Sequence, residues 1–272
     1  MTTEEKAERL RALHRGPRAL VLCNVWDAGS ARWVESLGYP AIATTSGGIA
    51  FAHARADGER MPWSLMAAAV GEIARAVTVP VTADIESGYA PAPEEVAKNA
   101  RAIYRAGVAG VNLEDRRPGA AQLEDLDLQR EKLRAVRAAC PRLVVNARTD
   151  AFWPGCQTPD PAAEALRRGR AYLAAGADCI FVPFLQDREV IARLVREMGG
   201  PLNILAGPGA PPVPELEALG VRRVSVGSGP IRAALAALDR AARELRDHGG
   251  YAPLEGAISY PAANQQFAAP VH

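Results

Sequence analysis

Eight short apolar runs, alternating with stretches of helical periodicity, constrain this chain more than any other feature. The runs cover residues 19–23, 40–45, 79–85, 108–113, 143–147, 179–183, 202–205 and 224–226. After an amphipathic start at 4–13, apolar positions recur at helical spacing over 28–37, 64–76, 93–106, 126–139, 161–175, 188–198, 214–219 and 231–248. Strands apolar on both faces and separated by helices form a parallel sheet covered by helices. Eight such units point to an α/β fold of the closed (β/α)8 TIM-barrel type, which takes about 250 residues as one domain. Leu37-Gly38, Ala106-Gly107, Ala175-Gly176 and Leu219-Gly220 repeat a glycine where a helix turns back into the next strand, the left-handed cap position. The reading is a barrel domain over 1–248 with an additional C-terminal helical tail over 249–272. That tail holds Tyr251, Leu254, Ile258, Tyr260 and Phe267, and so apolar a segment needs a surface to pack on, a neighbouring subunit being one candidate.

Composition excludes several functions. The net charge is +1 with acids and bases interspersed, which leaves no basic footprint for nucleic acid or an anionic membrane. No stretch approaches the roughly 18 apolar residues of a membrane span, and residues 1–6 are polar, unlike a signal peptide. A soluble, cytoplasmic protein is expected. Cys23, Cys140, Cys156 and Cys179 form no C-x-x-C pair and read as small hydrophobes in a reducing compartment. His14, His53, His248 and His272 lack zinc spacing. The three lysines, Lys6, Lys98 and Lys132, fall in helical contexts, so no Schiff-base lysine stands at a strand end.

Barrel chemistry sits at the carboxyl ends of the strands. Asn24, Trp26 and Asp27 end the first apolar run, and Thr45, Ser46, Gly47 and Gly48 the second. Asp84 and Glu86 end the third, Asn112, Glu114 and Asp115 the fourth, Asn146, Arg148 and Asp150 the fifth, and Asn203 the seventh. Within Val81-Thr-Ala-Asp-Ile-Glu-Ser-Gly-Tyr89, strand alternation puts Thr82, Asp84 and Glu86 on one face. Buried carboxylates need a proton, a partner or a metal, and acids at successive strand ends suit the all-oxygen surroundings that magnesium takes. Arg148 has the geometry to grip a carboxylate or phosphate through two N–H groups, and the glycines of 46–48 let backbone amides approach an anion. Each feature also has a plainer reading. Arg148 could neutralise Asp150 or Glu114, the 46–48 segment could be an ordinary turn, and Glu114-Asp115 could begin a solvated loop.

Taken in order, Thr45-Ser-Gly-Gly48, Thr82-Ala-Asp-Ile-Glu-Ser-Gly-Tyr89, Val111-Asn-Leu-Glu-Asp115, Asn146-Ala-Arg-Thr-Asp-Ala151 and Pro201-Leu-Asn203 resemble the isocitrate lyase / phosphoenolpyruvate mutase superfamily, from about the first strand to the eighth. The resemblance implies a magnesium-dependent barrel enzyme, with manganese as a substitute ion, that works through an enolate-like anion of a 2-oxo or 2-hydroxy carboxylate. It implies that Asp84 and Glu114 bind the metal directly or through water, with Asp57 assisting. It also implies that Ser46, Gly47 and Arg148 hold the substrate carboxylate. A homo-oligomer, dimer or tetramer, with an exchanged C-terminal helix follows from the same source.

The departures from the pattern bear on the reaction. In that superfamily two aspartates separated by one residue are common at the third strand end, where this chain has Thr82 and Asp84, and Glu86 is the candidate for the lost carboxylate. The 116–124 loop, Arg-Arg-Pro-Gly-Ala-Ala-Gln-Leu-Glu, lacks the Lys-Lys/Arg-Cys-Gly-His motif of the isocitrate and methylisocitrate lyases. It also lacks the asparagine of the phosphonate-forming mutases, and the sixth strand ends in Phe181-Val-Pro-Phe184, where lyases place a glutamate. The expected activity is decarboxylation or retro-aldol C–C cleavage of a small 2-oxo or 2-hydroxy acid with release of pyruvate. The pocket is expected to be partly apolar, walled by Trp26, Phe184 or Trp153. Catalytic roles go to Asp57, Glu114 and Arg148. Substrate binding goes to Trp26, Thr45, Ser46, Gly47, Gly48, Arg148 and Asn203, and metal binding to Asp84, Glu86 and Glu114. The alternatives are a phosphonopyruvate-type P–C hydrolase or mutase, and a metal-free barrel isomerase using Ala206-Gly-Pro-Gly209 and Val226-Gly-Ser-Gly-Pro230 as a phosphate site. A binding protein without turnover is the third.

Overall fold

Alternate side chains of the apolar runs go to two separate places, and this division builds the barrel. The computed structural model describes residues 1–268; the end of the tail, 269–272 with His272, lies outside the described residues. Among the described residues the strands are β1 (Leu20–Leu22), β2 (Asn24–Val25), β3 (Ile42–Thr44), β4 (Val81–Asp84), β5 (Gly110–Glu114), β6 (Val144–Arg148), β7 (Cys179–Val182), β8 (Leu202–Leu205) and β9 (Arg223–Ser225). All pair in parallel. β1 and β2 are one pass of the chain interrupted at Cys23: β1 pairs with β9 and β2 with β3, so the ring closes through the first pass. The α/β barrel read from the apolar runs is the observed architecture.

Outward-facing residues such as Val81, Ala83, Val111, Leu113, Val145, Ala147, Ile180 and Val182 join the helices in one large core. Full burial of a side chain of this size contributes about 1.5–3 kcal/mol. A smaller core lies at the amino end of the barrel. There helix Thr3–Leu13 packs Ala7 and Leu10 against Leu20, Leu22, Ala41, Ala43, Ala109 and Val144 and so plugs the floor. Helix starts follow the sequence: Asp27, Asp125, Asp160 and Asp187 each cap an N-terminus with a side-chain oxygen. The four repeated glycines, Gly38, Gly107, Gly176 and Gly220, take φ of 85, 104, 105 and 94°, the left-handed conformation expected of them.

Two local departures affect the site. The run at 79–85 shortens to Val81–Asp84, because Pro80 has no N–H for the ladder and serves only as acceptor to Ile42. Glu86 therefore lies beyond the strand, in a left-handed turn at φ 51°, and does not share a strand face with Asp84. Ser46-Gly-Gly48 is not a turn but the opening of helix Ser46–Ala52, capped by Thr45.

Helix Gly229–His248 stands apart. Only Ile231 on it is buried, and Leu235, Leu238 and Leu245 are 45%, 64% and 56% exposed. The tail then forms a single 3-10 turn, Ala252–Leu254, and helix Tyr260–Ala268, whose Phe267 ring lies 6.0 Å from that of Trp33.

Candidate active site

The carboxyl ends of β5 and β6 set two charged side chains on one cavity of about 580 Å³, and the end of β4 sets a third just behind its wall. Asp84 ends β4. Its backbone N–H donates to Thr44 Oγ1 at 3.0 Å, and its Oδ2 accepts from Ser46 Oγ at 3.1 Å and, more weakly, from Ser46 N at 3.4 Å. Glu114 ends β5 and pairs with Arg148 of β6, with Nη1 2.8 Å from Oε2. Arg148 also donates from Nε and Nη2 to Asp150 at 2.6 and 3.1 Å. Asp150, fully buried, accepts a further bond from Arg116 Nε at 2.9 Å. Both guanidinium groups lie over Trp153, at 4.5 Å for Arg116 and 5.1 Å for Arg148. The 53–62 loop brings Asp57, Gly58 and Arg60 to the opposite wall. Asp57 comes so close to Gly47 that a Cβ there would sit 2.9 Å from its Oδ2, so any side chain at this position would push Asp57 aside.

This crowding of acids moves their protonation. Burial pushes the Asp84 carboxyl up, Arg148 pulls it back, and Asp57 pushes it further. Burial, then Asp84 and Asp57, raise Glu86 to about 8. Burial holds Glu114 well above the usual carboxylate range in spite of Arg148. Burial acts against the Arg148 cation, but Glu114 and Asp150 more than offset it and keep the group firmly protonated.

Ser46, Asp57, Glu86, Glu114 and Arg148 line the cavity together, with Asp84 directly behind Ser46. Gly47 backs Asp57. Other expected site residues lie elsewhere. Trp26 belongs to a separate hollow with Trp33, Pro230, Ile258 and Phe267. Asn203 is fully buried inside the barrel, accepting from Ser225 Oγ at 3.4 Å. Thr45 caps its helix through Gly48 N, and Gly48 packs close to Thr45, Trp26 and Ile231. Thr82 requires a correction: it lies one strand repeat beneath Asp84, beside Arg223, so it does not mark a missing carboxylate at the rim. The acidic pair spaced by one residue is Asp84 with Glu86. The cavity is charged but partly apolar, as expected: Trp153 lines it, while Phe184 meets it only behind Trp153, edge-on at 4.8 Å. Where a phosphate site was the alternative, Val226 N and Gly227 N both donate to Asn24 Oδ1 at 2.9 Å, so these amides are already satisfied.

Arg60, Arg116, Pro118 and Gly119 complete the wall and were not singled out from the sequence as site residues. The 116–124 loop offered a signal only through its position after β5, and Arg60 offered none. Among the described residues no three His, Cys, Asp or Glu side chains gather closely enough to ligate one ion directly. The donors nevertheless fit a hydrated magnesium ion: they are all carboxylate oxygens, they repel one another, and magnesium binds through few carboxylates while keeping several waters.

Known proteins resemble this chain over most of its length. The sequence model of the phosphoenolpyruvate phosphomutase family matches residues 10–246. An uncharacterised protein of Mycobacterium tuberculosis (strain H37Rv) is 35% identical over 235 residues, covering 86% of this chain and 88% of its own. The 2,3-dimethylmalate lyase of Eubacterium barkeri is 31% identical, covering 79% of this chain and 77% of its own. Among solved structures, a Burkholderia cenocepacia J2315 protein superposes with a TM-score of 0.92 at 36% identity, covering 98% and 97% of the two chains. Oxaloacetate acetylhydrolase in complex with the product oxalate superposes with a TM-score of 0.85 at 26% identity, covering 97% and 96%.

Proposed function

This chain belongs to the isocitrate lyase / phosphoenolpyruvate mutase superfamily, and we propose that it is a magnesium-dependent lyase that cleaves a C–C bond in a small 2-oxo or 2-hydroxy carboxylate and releases pyruvate. The observation that carries this reading is the gathering of Asp57, Glu86, Glu114 and Arg148 on one cavity at the strand ends. Asp84, Glu86 and Glu114 would hold the ion through water. When bound, magnesium supplies positive charge that stabilises negative charge developing on a substrate oxygen.

The chain's own residues do the rest. Arg148 gives Nε, Nη1 and Nη2 each to a carboxylate, which leaves one N–H on each terminal nitrogen for a substrate carboxylate. The Ser46 hydroxyl, which donates its one hydrogen to Asp84, would bind the same end of the substrate by turning that hydrogen to the carboxylate. As the C–C bond breaks, its electron pair passes into the 2-oxo group to form the enolate; either carbon dioxide departs, or an aldehyde departs whose hydroxyl proton passes to a cavity carboxylate. A proton from cavity water then yields pyruvate, since the 116–124 loop carries no thiol or imidazole. A rigid ion-pair frame suits this task because charge stabilisation is strongest when donors need no reorganisation.

The exposed leucines of helix Gly229–His248 support a homo-oligomer in which this helix packs on a second copy. The hollow of about 730 Å³ lined by Leu13, Pro17, Leu20, Val21, Tyr39 and Pro40 is the surface proposed to receive it.

A panel of 2-oxo acids and phosphonopyruvate, assayed for pyruvate release with magnesium and again with EDTA, tests the activity. Turnover of a 2-oxo acid that EDTA abolishes and magnesium restores is expected. Activity that survives EDTA would favour the metal-free isomerase, and preferential turnover of phosphonopyruvate would favour the P–C hydrolase. Calorimetric titration of magnesium with oxalate, an enolate mimic, tests the site without a substrate. Absence of magnesium-dependent oxalate binding would remove the enolate mechanism.

A further inference from the structure

Five left-handed residues from two different loops meet beside the cavity, and three of them are not glycine. Gly58 and Glu59 in the 53–62 loop have φ of 89 and 54°; Glu86, Gly88 and Tyr89 after β4 have φ of 51, 100 and 57°. An L-residue pays a steric cost in this region, so something must hold Glu59, Glu86 and Tyr89 there. Each loop is held by a carboxylate from the other. Glu59 Oε1 accepts from Ser87 Oγ at 2.6 Å, Ser87 N at 3.1 Å and Tyr89 N at 3.0 Å. In return Glu86 Oε2 accepts from Glu59 N at 2.7 Å, and Glu86 Oε1 accepts from Tyr89 Oη at 2.8 Å. The Trp63 and Tyr89 rings, 5.3 Å apart, pack along the same seam.

Glu59 is absent from the cavity lining, yet its immediate neighbours Gly58 and Arg60, with Asp57, form one wall, and Glu86 is part of another. We infer that Glu59 is a positioning residue: its carboxylate, by holding Ser87 and Tyr89 while its N–H holds Glu86, sets both the direction of the Glu86 carboxylate and the distance across the cavity to Asp57. The inference rests on the proposed function, because it concerns how the carboxylates that receive magnesium and substrate are held. A purely stabilising role would require only that the two loops stay together. The clasp does more, since both Glu86 oxygens are directed by protein donors and only their remaining lone pairs face the cavity. Groups that orient ligating carboxylates typically affect metal affinity by about 10–100-fold when removed.

The experiment measures magnesium-dependent oxalate affinity of the full chain by calorimetry for the unmodified protein, Glu59→Ala, Glu59→Gln and Ser87→Ala, each checked by thermal unfolding. Glu59→Ala should weaken oxalate binding about tenfold or more. Glu59→Gln keeps an oxygen acceptor and should stay within about twofold of the unmodified protein. Ser87→Ala removes one bond without touching either glutamate and gives an intermediate loss if Glu59→Ala does not fold. Unchanged affinity in both Glu59→Ala and Ser87→Ala overturns the inference, as does a Glu59→Gln loss equal to that of Glu59→Ala, since the acceptor would then not be what matters. If the unmodified protein binds no oxalate with magnesium, the proposed activity falls and the positioning role with it, an outcome distinguishable because it precedes any variant.

Discussion

The rim and the floor of this barrel are built on the same strands, yet they solve opposite charge problems. At the rim, Asp57, Asp84, Glu86 and Glu114 crowd together, with Arg148 as the cation that Asp84 and Glu114 share. At the floor, Arg223 is fully buried, and its hydrogen-bond partners are the neutral Asn112 Oδ1 at 3.1 Å, Thr82 Oγ1 at 3.5 Å and His14 Nε2 at 3.4 Å. Thr82 lies two residues before Asp84, and Asn112 two before Glu114. One strand repeat thus separates neutral polar groups from acids. The rim opens into a cavity where an ion or substrate can offset surplus charge. The floor is sealed by Leu10 and helix Thr3–Leu13, so its arginine hydrogen-bonds only neutral groups and feels a carboxylate, Asp84, from a distance. Unmatched charge signals function where a ligand can reach it and structure where none can.

The sharpest way to break this comparison is to remove one charge from the rim. Asp84→Ala and Arg148→Ala should each lower kcat/KM on the 2-oxo acid found by the panel by about a thousandfold or more, with the fold retained. If both retain full activity by steady-state assay, the site is misplaced. At the floor, Leu10→Ala should instead cost about 2–5 kcal/mol of stability in denaturant unfolding while leaving kcat unchanged. A drop in kcat would show that floor and rim are coupled.

Protonation separates the two regions in a subtler way. Burial and then Arg223 depress His14 from 6.5 to about 4. Between these values the unfolded chain binds the proton and the folded one does not, so His14 makes the fold lose stability as pH falls from 6.5 to 4, by at most roughly 3 kcal/mol. Glu86, raised to about 8, has the opposite sign: the folded state holds the proton that the unfolded state releases, and stability falls as pH rises from 4.5 to 8. Thermal unfolding across pH should therefore show a His14→Asn variant losing less stability than the unmodified protein on the acid side, while the decline from pH 6.5 to 8 persists in both. The smallest expected effect belongs to residues outside both regions' chemistry. Asn203→Ala should change kcat/KM by no more than about twofold, because it reaches neither the cavity nor its ion pairs; a larger change in steady-state kinetics would place it in the site after all.

Alternation along the strands made Glu114 and Arg148 legible as neighbours at the barrel's carboxyl end, because parallel pairing in register aligns the ends of adjacent strands. Glu86 was legible as a residue of interest but for the wrong geometric reason: it was read as the next inward position of a strand, and it reaches the cavity from a left-handed turn beyond the strand's end. Trp26 looked like a pocket wall because it follows the first strand, yet it turns toward Phe267 and the tail. Arg60, Arg116 and the Glu59 clasp could not be read, since loop paths depend on pairings between residues far apart in the chain.

By itself the sequence determined the parallel α/β barrel, its helix caps and the ends of its strands where chemistry belongs, because these follow from local periodicity and the conformational limits of single residues. The tertiary structure decided which of the strand-end acids face one another, which arginine neutralises them and which loop supplies the opposite wall. Those outcomes depend on the closure of the ring and on hydrogen bonds between units such as Glu59 with Ser87 and Arg116 with Asp150, whose partners are brought together only once the barrel has formed.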